Sequence, residues 1–258
     1  MIPFDQIDQE LGNLLQEFGP YSQTYRTEYP FWRLQNDDQI WELSNISNIQ
    51  TSPKKDVSKR KLLHNQVAGG FPLEIYEYLI LHPNEIVVLA YHILTAHFPD
   101  TVIEEIFQAV HLNQTEEVYD WVRRRRRNPK FRYAVLDAYN NCCALCGYDV
   151  KLGEKSIGLE AAHIKWDSHN GPNLVQNGLL LCAIHHKLFD RGAWTLSKDG
   201  LIDVSPHVKG TIGLQEWLLR FKDKPLFQPK SSIQEPDPIY GTWHRKEVFK
   251  KRERSEIL

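Results

Sequence analysis

The sequence has few cysteines, no long apolar run and almost no net charge, and each shortage excludes a class of protein. Four cysteines in a chain expected to be cytosolic suggest metal binding or thiol reactivity before disulfides. No apolar stretch approaches the ~18 residues that cross a bilayer, so we expect no membrane partner. The first ten residues lack the basic and then apolar pattern of a signal peptide, which predicts a cytoplasmic location. A net charge of −2 argues, at first sight, against nucleic acid as a partner.

The charge is, however, unevenly distributed. Residues 1–122 contain seven Lys and Arg residues against 18 Asp and Glu residues, a net charge of −11, whereas residues 123–258 contain 24 against 15, a net charge of +9. Such asymmetry indicates that one half contacts nucleic acid. Positive charge rises most steeply at a run of five consecutive arginines. This run predicts contacts with the phosphate backbone from Arg123, Arg124 and Arg127. A solvated helix C-terminus is the alternative explanation of this run.

The hydrophobic patterns predict an α+β protein of two domains. The first half is mainly helical, with apolar residues at helical spacing over 7–18 and helices beginning near 72, 84, 100 and 115. Residues 29–34 and 40–43 flank a polar turn, which predicts a β-hairpin. In the second half we expect helices near 130–139, 185–190 and 214–221, strands near 157–164, 179–182, 194–197 and 201–205, and a proline-rich tail.

Two pairs of zinc-type ligands frame the middle of the second half. Cys143 and Cys146 are separated by two residues, as are Cys182 and His185, and the pairs lie about 35 residues apart. This spacing supplies four ligands to one tetrahedral ion, which predicts a structural Zn²⁺ that holds a small domain together. Cys142 is a neighbour that competes with Cys143 for this role, and a set of buried thiols without metal is the alternative.

A second set of polar residues indicates hydrolytic chemistry. His163 closes an expected strand, Asn177 precedes the next strand, and His186 follows the last zinc-type ligand. The segments Gly-Leu-Glu-Ala-Ala-His-Ile and Leu-Cys-Ala-Ile-His-His-Lys-Leu-Phe-Asp resemble the HNH, or ββα-metal, nucleases. The resemblance covers residues 131–205 and implies an endonuclease built on two strands and a helix around one divalent ion.

The residue types suggest a role for each group in phosphodiester hydrolysis. A neutral imidazole suits the activation of water, so His163 is the expected general base, oriented by the amide oxygen of Asn177. His186 is expected to bind a divalent metal such as Mg²⁺ or Mn²⁺, which stabilises the leaving 3′ oxygen. Asp190 lies four residues later on the same helical face and is the expected second ligand.

This chain departs from the HNH pattern at one position. Many members carry Asp or His immediately before the general base, and here that residue is Ala162. Glu160 is the nearest carboxylate, although strand alternation places it on the face opposite His163. We therefore expect either water in the vacant position or an inward turn of Glu160 as a third metal ligand. Arg191 follows the metal-binding helix and is a candidate for contact with a phosphate.

The first half resembles a second family. The segments Glu-Tyr-Pro-Phe-Trp-Arg-Leu-Gln at 28–35 and Ala-Gly-Gly-Phe-Pro at 68–72 are similar to sulfur-binding domains, which precede HNH domains in bacterial restriction enzymes that recognise phosphorothioate DNA. Sulfur is larger than oxygen and a poorer hydrogen-bond acceptor, so a pocket of proline, aromatic and small side chains favours it. The candidates for contact with the sulfur or the neighbouring phosphate are Arg26, Tyr29, Pro30, Phe31, Arg33 and Ala68. Packing in a hydrophobic core is the alternative for these aromatic residues.

The two resemblances together cover nearly the whole chain and imply a phosphorothioate-dependent restriction endonuclease. We expect a reader domain at 1–120, a basic linker at 121–130 and an HNH domain at 131–258. Because one HNH site cuts one strand at a time, a homodimer on double-stranded DNA is expected. The alternatives are an HNH nuclease that reads another modification, such as a methylated base, and a non-catalytic DNA-binding protein built on a zinc scaffold.

Overall fold

The structure, a computed structural model, describes residues 1–38, 40–47, 49–112 and 129–251. The chain divides into two compact units, Met1–Leu89 and Ala90–Leu258. This division lies earlier in the chain than the expected reader boundary at residue 120. Because a division by packing and a division by function need not coincide, the domain bounds remain a prediction.

The first unit combines helices with one small sheet. Its elements are β1 (Ile2–Pro3), α1 (Phe4–Phe18), α2 (Glu28–Arg33), a 3₁₀ turn (Leu34–Asn36), β2 (Glu42–Ser44), α3 (Lys59–His64), β3 (Ala68–Gly70), α4 (Leu73–Leu81) and the start of α5 (Pro83–His97). β3 is the central strand and pairs antiparallel with both β1 and β2. The apolar stripe of α1 ends where Gly19 donates its N–H to the carbonyl of Leu15 at 3.0 Å. The core of this unit is formed by Phe4, Phe31, Trp32, Val57, Leu62 and Val67.

The predicted β-hairpin is wrong. Residues 28–33 form α2, and β2 pairs with β3 instead. Pro30 is tolerated because it lies in the first turn of α2, where an intrahelical N–H is not required. Phe31 packs against Phe4 with ring centroids 4.9 Å apart, and Trp32 beside it is also buried. Two adjacent buried aromatic residues make an apolar run too short for its period to distinguish a helix from a strand.

The helices α4 and α5 follow the expected break in the chain. Pro72 is the N-cap residue of α4, as its position after two glycines predicts. The two helices are bent by 109° at the residue between them. Among the residues that the structure describes, no single helix is long and apolar enough to cross a membrane, and this bent pair meets the requirement by length and composition alone.

The second unit is built from short strands and helices. It contains the rest of α5, α6 (Asp100–Ala109), α7 (Pro129–Ala138), β4 (Lys151–Leu152), β5 (Lys155–Ser156), β6 (Leu159–His163), β7 (Gly178–Cys182), α8 (Ala183–Asp190), β8 (Trp194–Leu196), β9 (Ile202–Val204), α9 (Ile212–Trp217) and α10 (Pro238–Glu247). Short 3₁₀ turns lie at Asp167–His169, Val175–Asn177, Leu219–Phe221 and Ser232–Gln234. The strands pair as β4–β5, β6–β7 and β8–β9, all antiparallel. A helical first unit and a ββα arrangement in the second confirm the predicted α+β class.

The β6–β7 ladder and α8 position the candidate site. Every residue of β7 is buried, which explains the continuous apolar run that precedes Cys182. His163 at the end of β6 lies opposite Gly178 at the start of β7. A side chain at position 178 would collide with Val135 and Phe131 of α7. Glycine there allows α7 to approach the end of β6 closely.

The expected proline-rich tail contains a helix. The carboxylate of Asp237 accepts the N–H of Ile239 at 2.9 Å, and Pro238 occupies the first turn of α10. An Asp-Pro pair is a recognised helix start, but the prolines around it obscured this signal. α10 buries His244, whose ring stacks on Phe189 with centroids 3.7 Å apart. The helix therefore belongs to the core of the second unit.

Candidate functional site

β6, the loop after it and α8 bring hydrolytic residues to one pocket. The pocket has a volume of about 360 Å³, and its lining includes His163, His186 and Asp190. His163 lies at the end of β6, whereas the other two residues lie one helical turn apart on α8. Of the five residues predicted for catalysis and its metal, three therefore meet in this pocket, while Asn177 and Glu160 lie outside its lining.

The His163 imidazole is partly buried and is held on two sides. Its ring stacks on Phe131, with centroids 4.1 Å apart and planes inclined by 16°. Its Nε2 lies 3.1 Å from Oδ1 of Asn173. Because an amide oxygen only accepts hydrogen bonds, Nε2 carries the proton in this geometry and Nδ1 is the basic nitrogen. Burial lowers the pKa of His163, so the imidazole is neutral near pH 7.

The predicted contact between Asn177 and His163 is wrong. Asn177 is fully buried, and its Oδ1 accepts the backbone N–H of Lys165 at 2.8 Å. Its Nδ2 donates to the carbonyls of Lys165 and Pro172, both at 3.0 Å. These bonds close the loop that follows β6. Asn177 thus fixes the loop from which Asn173 reaches His163.

His186 and Asp190 form a close pair on α8. His186 Nε2 lies 3.1 Å from Asp190 Oδ2, close to the ~3.0 Å between neighbouring ligands of an octahedral ion with bonds of ~2.1 Å. Although burial opposes a charge on the imidazole, the carboxylates of Asp190 and Glu160 raise the pKa of His186 to about 9. Two carboxylates around one imidazole provide the electrostatic environment that a divalent cation requires. The residues present therefore fit such a cation.

Glu160 contacts the opposite side of the same imidazole. Its Oε2 lies 2.6 Å from Nδ1 of His186. This contact orients the ring so that Nε2 faces Asp190, an arrangement that is common behind metal-binding histidines. Glu160 does lie off the pocket, as strand alternation predicts. This contact and its place off the pocket favour the first alternative, water in the vacant position, over Glu160 as a third metal ligand.

The four predicted zinc ligands converge in the second unit; they are Cys143, Cys146, Cys182 and His185. Their ligand atoms all lie within 4.8 Å of one another, which fits a tetrahedral Zn²⁺ with Zn–S bonds of ~2.3 Å. His185 Nδ1 faces the thiols, and its Nε2 donates to the carbonyl of Trp217 at 2.7 Å. That bond selects the tautomer whose Nδ1 can bind the metal. Cys142 is not part of the cluster, so the alternative in which it replaces Cys143 is wrong.

In the first unit, α2 carries most of the residues expected to contact a modified phosphate. The Tyr29 ring lies against two guanidinium groups, with Cζ of Arg33 and Cζ of Arg26 at 4.5 Å and 5.6 Å from its centroid. Arg33 also forms a two-point ion pair with Asp56, in which both N–O distances are 2.7 Å. Both arginine side chains are more than half exposed. Arg26 lies 3.5 Å from Oε1 of Glu28, so the surface combines an aromatic ring with two exposed but ion-paired guanidinium groups.

The other candidates of the first unit lie in different environments. Phe31 is buried in the core between Phe4 and Trp41, which favours core packing, the alternative given for this residue, over contact with sulfur. Pro30 is exposed on α2, and Ala68 is partly buried at the start of β3. Their sulfur contacts remain predictions.

Arg191 is the one predicted DNA-backbone arginine that lies within the described residues. Its Nη1 lies 3.2 Å from Oε2 of Glu105 on α6. Three further arginines and the helix expected from about residue 115 lie outside the described residues; these arginines are Arg123, Arg124 and Arg127.

Comparison with known protein families assigns both parts of the chain. Residues 1–115 match the ScoMcrA-like DNA sulfur-binding domain, and residues 143–197 match the HNH endonucleases. The chain carries a DNA sulfur-binding domain followed by an HNH endonuclease domain. Both resemblances inferred from the sequence are thus confirmed. The zinc-type cluster and α8 lie within the HNH match, whereas α6 lies within the match to the sulfur-binding domain.

One solved structure similar to this chain is the modification-dependent TagI restriction endonuclease. It is 22% identical, and the match has a TM-score of 0.33. The match covers 46% of this chain and 37% of that chain, so this protein spans little more than a third of that length. At this degree of likeness, nothing about function follows from it. No curated protein matches the chain.

The sequence-based predictions did not include three residues that hydrogen-bond to His163 or Asp190; they are Thr101, Trp166 and Asn173. Trp166 Nε1 donates to Asp190 Oδ1 at 3.2 Å, and the Thr101 hydroxyl donates to Asp190 Oδ2 at 2.5 Å. Asn173 and Trp166 follow His163 within one loop, so nearness in sequence was a usable signal. Thr101 lies 89 residues from its partner, and no local pattern marks it.

Proposed function

We propose that this protein is a modification-dependent DNA endonuclease that recognises phosphorothioate DNA and hydrolyses a phosphodiester bond nearby. The observation that carries the proposal is the convergence of His163, His186 and Asp190 on one pocket of the HNH domain. A base and a metal-binding pair that face the same space are what metal-assisted hydrolysis requires. The preceding DNA sulfur-binding domain supports sulfur as the modification that is read.

In the proposed reaction, Nδ1 of His163 accepts a proton from the attacking water while Asn173 holds Nε2–H. The lowered pKa of His163 keeps this nitrogen available at neutral pH. A divalent cation such as Mg²⁺ or Mn²⁺, held by His186 and Asp190, supplies Lewis-acid stabilisation of the departing 3′ oxygen. Glu160 keeps Nε2 of His186 turned toward the pocket by accepting the proton on Nδ1.

The cluster of three cysteines and one histidine is proposed to bind a structural Zn²⁺. Four protein ligands leave no open position for water or substrate, which is typical of structural sites. His185, the fourth ligand, immediately precedes His186 on α8. Zinc bound in this way holds the first turn of α8 against β7 and thereby fixes one metal ligand of the catalytic pocket.

The sulfur-reading surface is proposed to include Tyr29, Pro30 and Ala68, with Arg26 and Arg33 binding the oxygens of the flanking phosphate. The exposed proline ring and the tyrosine edge offer apolar contact, which penalises a strongly hydrated oxygen more than sulfur. Two exposed guanidinium groups lie against the same tyrosine ring. This part of the chain is acidic overall, so its selectivity for DNA depends on these few cations.

The proposed reading of sulfur is tested with three duplexes of identical sequence, one phosphorothioate-modified, one methylated and one unmodified. We expect the phosphorothioate duplex to bind about tenfold more tightly than the others, a difference of ~1.4 kcal/mol, and to be cleaved when Mg²⁺ or Mn²⁺ is present. Equal affinity for the sulfur and unmodified duplexes contradicts the proposal. A preference for the methylated duplex indicates a base-reading nuclease instead.

His163→Ala tests the proposed chemistry separately from DNA binding. We expect the cleavage rate to fall by about 10²–10⁴-fold, the usual contribution of a general base, while affinity for the phosphorothioate duplex is unchanged. His207→Ala is the control, because this exposed histidine lies outside the pocket. If the wild-type protein cleaves none of the duplexes with any of several divalent ions, the non-catalytic alternative holds, and the protein is a DNA-binding protein built on a zinc scaffold.

A further inference from the structure

α6 contributes to the HNH pocket although it lies outside the HNH match. Residues 98–101, which lead into this helix and form its start, line the same pocket as His163 and Asp190. The family match for this segment is the sulfur-binding domain. By packing, however, the segment belongs to the second compact unit, which begins at Ala90. The pocket is therefore assembled from parts of the chain that match two families.

Two ion pairs link α6 to α8. The Glu105 carboxylate lies 2.5 Å from Nζ of Lys187 and 3.2 Å from Nη1 of Arg191. The residues of α6 that are buried in the unit are Val102, Ile103, Ile106 and Phe107. Because Glu105 lies one turn after Thr101 and both cations lie near the C-terminal end of α8, these ion pairs keep α6 next to the part of α8 that carries Asp190.

Asp190 is fixed at both carboxylate oxygens. Trp166 donates to Oδ1 at 3.2 Å, and Thr101 donates to Oδ2 at 2.5 Å. Oδ2 is also the oxygen that lies 3.1 Å from His186 Nε2. A carboxylate oxygen has two lone pairs, so the bond from Thr101 leaves one that is directed toward the neighbouring imidazole. A ligand whose plane is fixed in advance binds a metal more tightly than one that must be ordered on binding.

We propose that Thr101 is a positioning residue of the nuclease site, whose hydroxyl orients Asp190 to bind the divalent cation. A helix that matches the sulfur-binding family thereby completes the metal site of the HNH domain. This inference rests on the proposed function for the use that is made of the cation. Binding of the cation itself is measurable without DNA.

The test compares the Mn²⁺ affinity of the zinc-loaded full chain with that of variants, by electron paramagnetic resonance of free Mn²⁺. Thr101→Val keeps the shape of the side chain and removes its hydroxyl, whereas Thr101→Ser keeps the hydroxyl. We expect Thr101→Val to weaken Mn²⁺ binding by about tenfold, as loss of a metal ligand's hydrogen-bond partner usually does, and Thr101→Ser to restore most of it. Thr211→Val is the matched control, because Thr211 is exposed and its side chain caps no helix.

Equal Mn²⁺ affinities of the wild type and Thr101→Val overturn the proposal. An equal loss in the valine and serine variants also overturns it, since side-chain shape and not the hydroxyl then matters. Thermal melting and zinc content report whether each variant is folded, and Thr101→Ala provides a second hydroxyl-free variant with the same expected loss. A wild-type protein that binds Mn²⁺ in this way but cleaves no DNA refutes the proposed function and leaves the role of Thr101 intact.

Discussion

At the scale of single residues, the chemistry of the pocket depends on which nitrogen of His163 carries the proton. Asn173 accepts a hydrogen bond from Nε2, and Phe131 stacks against the ring, so a change of tautomer or rotamer loses a contact. Burial lowers the pKa of His163 below its ordinary value of ~6.5. The proposed base is therefore neutral at pH 7, and we expect cleavage to slow only as the pH falls through the lowered pKa.

We expect Asn173→Asp to move this acid limb of the pH–rate profile upward by about one unit, because a carboxylate beside Nε2 stabilises the imidazolium. Asn173→Ala instead removes the orienting contact and lowers the rate by about tenfold, with no upward shift of the limb. Single-turnover cleavage of the phosphorothioate duplex between about pH 5 and pH 8 measures both effects. Identical profiles for the aspartate variant and the wild type would show that Asn173 does not contact the base.

At the scale of elements, the zinc-type cluster connects the turn after α7 to the junction of β7 and α8. Cys143 and Cys146 lie in that turn, while Cys182 ends the strand and His185 lies in the first turn of the helix. The hydrogen bond between Cys143 and Cys146 lowers the pKa of the Cys143 thiol and raises that of Cys146, so Cys143 is the first of the two to lose its proton. A thiolate there is the form that binds zinc.

Cys146→Ser is expected to abolish zinc binding and to lower the melting temperature of the HNH domain, because a structural metal contributes directly to folding. Cys142→Ser is the matched control, since Cys142 is adjacent to the cluster but not part of it. Elemental analysis gives the zinc content, and thermal melting gives the stability. Loss of zinc from the control variant would assign the ligand to Cys142.

At the scale of the whole molecule, a net charge of −2 is the sum of an acidic half and a basic half. General attraction to phosphates is expected from the basic half, while the reading surface offers a few cations around Tyr29. The described residues place one candidate base and one metal-binding pair in the HNH pocket. Under the proposed mechanism, one such site hydrolyses one phosphodiester bond at a time.

Cleavage of both DNA strands is therefore expected to require two copies of the chain. With a phosphorothioate plasmid and limiting protein, nicked circles should accumulate before linear DNA appears. Light scattering of the protein on a modified duplex should give two chains per duplex at saturation. Direct formation of linear DNA by a complex containing one chain would contradict the homodimer.

Some site residues could be predicted from the sequence and others could not, depending on whether a short sequence spacing marks them. The four zinc-type ligands, and with them His186, follow from short spacings that hold in any fold that closes them around one ion. His163 was predictable because a histidine at a strand end, followed by the second motif, resembles a known site. Phe31 was assigned to a strand because a short apolar run with aromatic residues is compatible with both a helix and a strand. Asn177 was misplaced because an amide near a histidine in sequence need not face it.

The sequence by itself determined the domain order, the zinc-type ligands and the pairing of His186 with Asp190, because these depend on composition and on spacing within single elements. Only the tertiary structure decided which side chains hydrogen-bond to the three pocket residues His163, His186 and Asp190. Asn173 orients His163, Glu160 holds His186, and Thr101 reaches Asp190 from 89 residues away. The physical reason is that hydrogen bonds act over about 3 Å. Partners separated in sequence are brought within that distance by packing of α6 and β6 on α8, which no local pattern records.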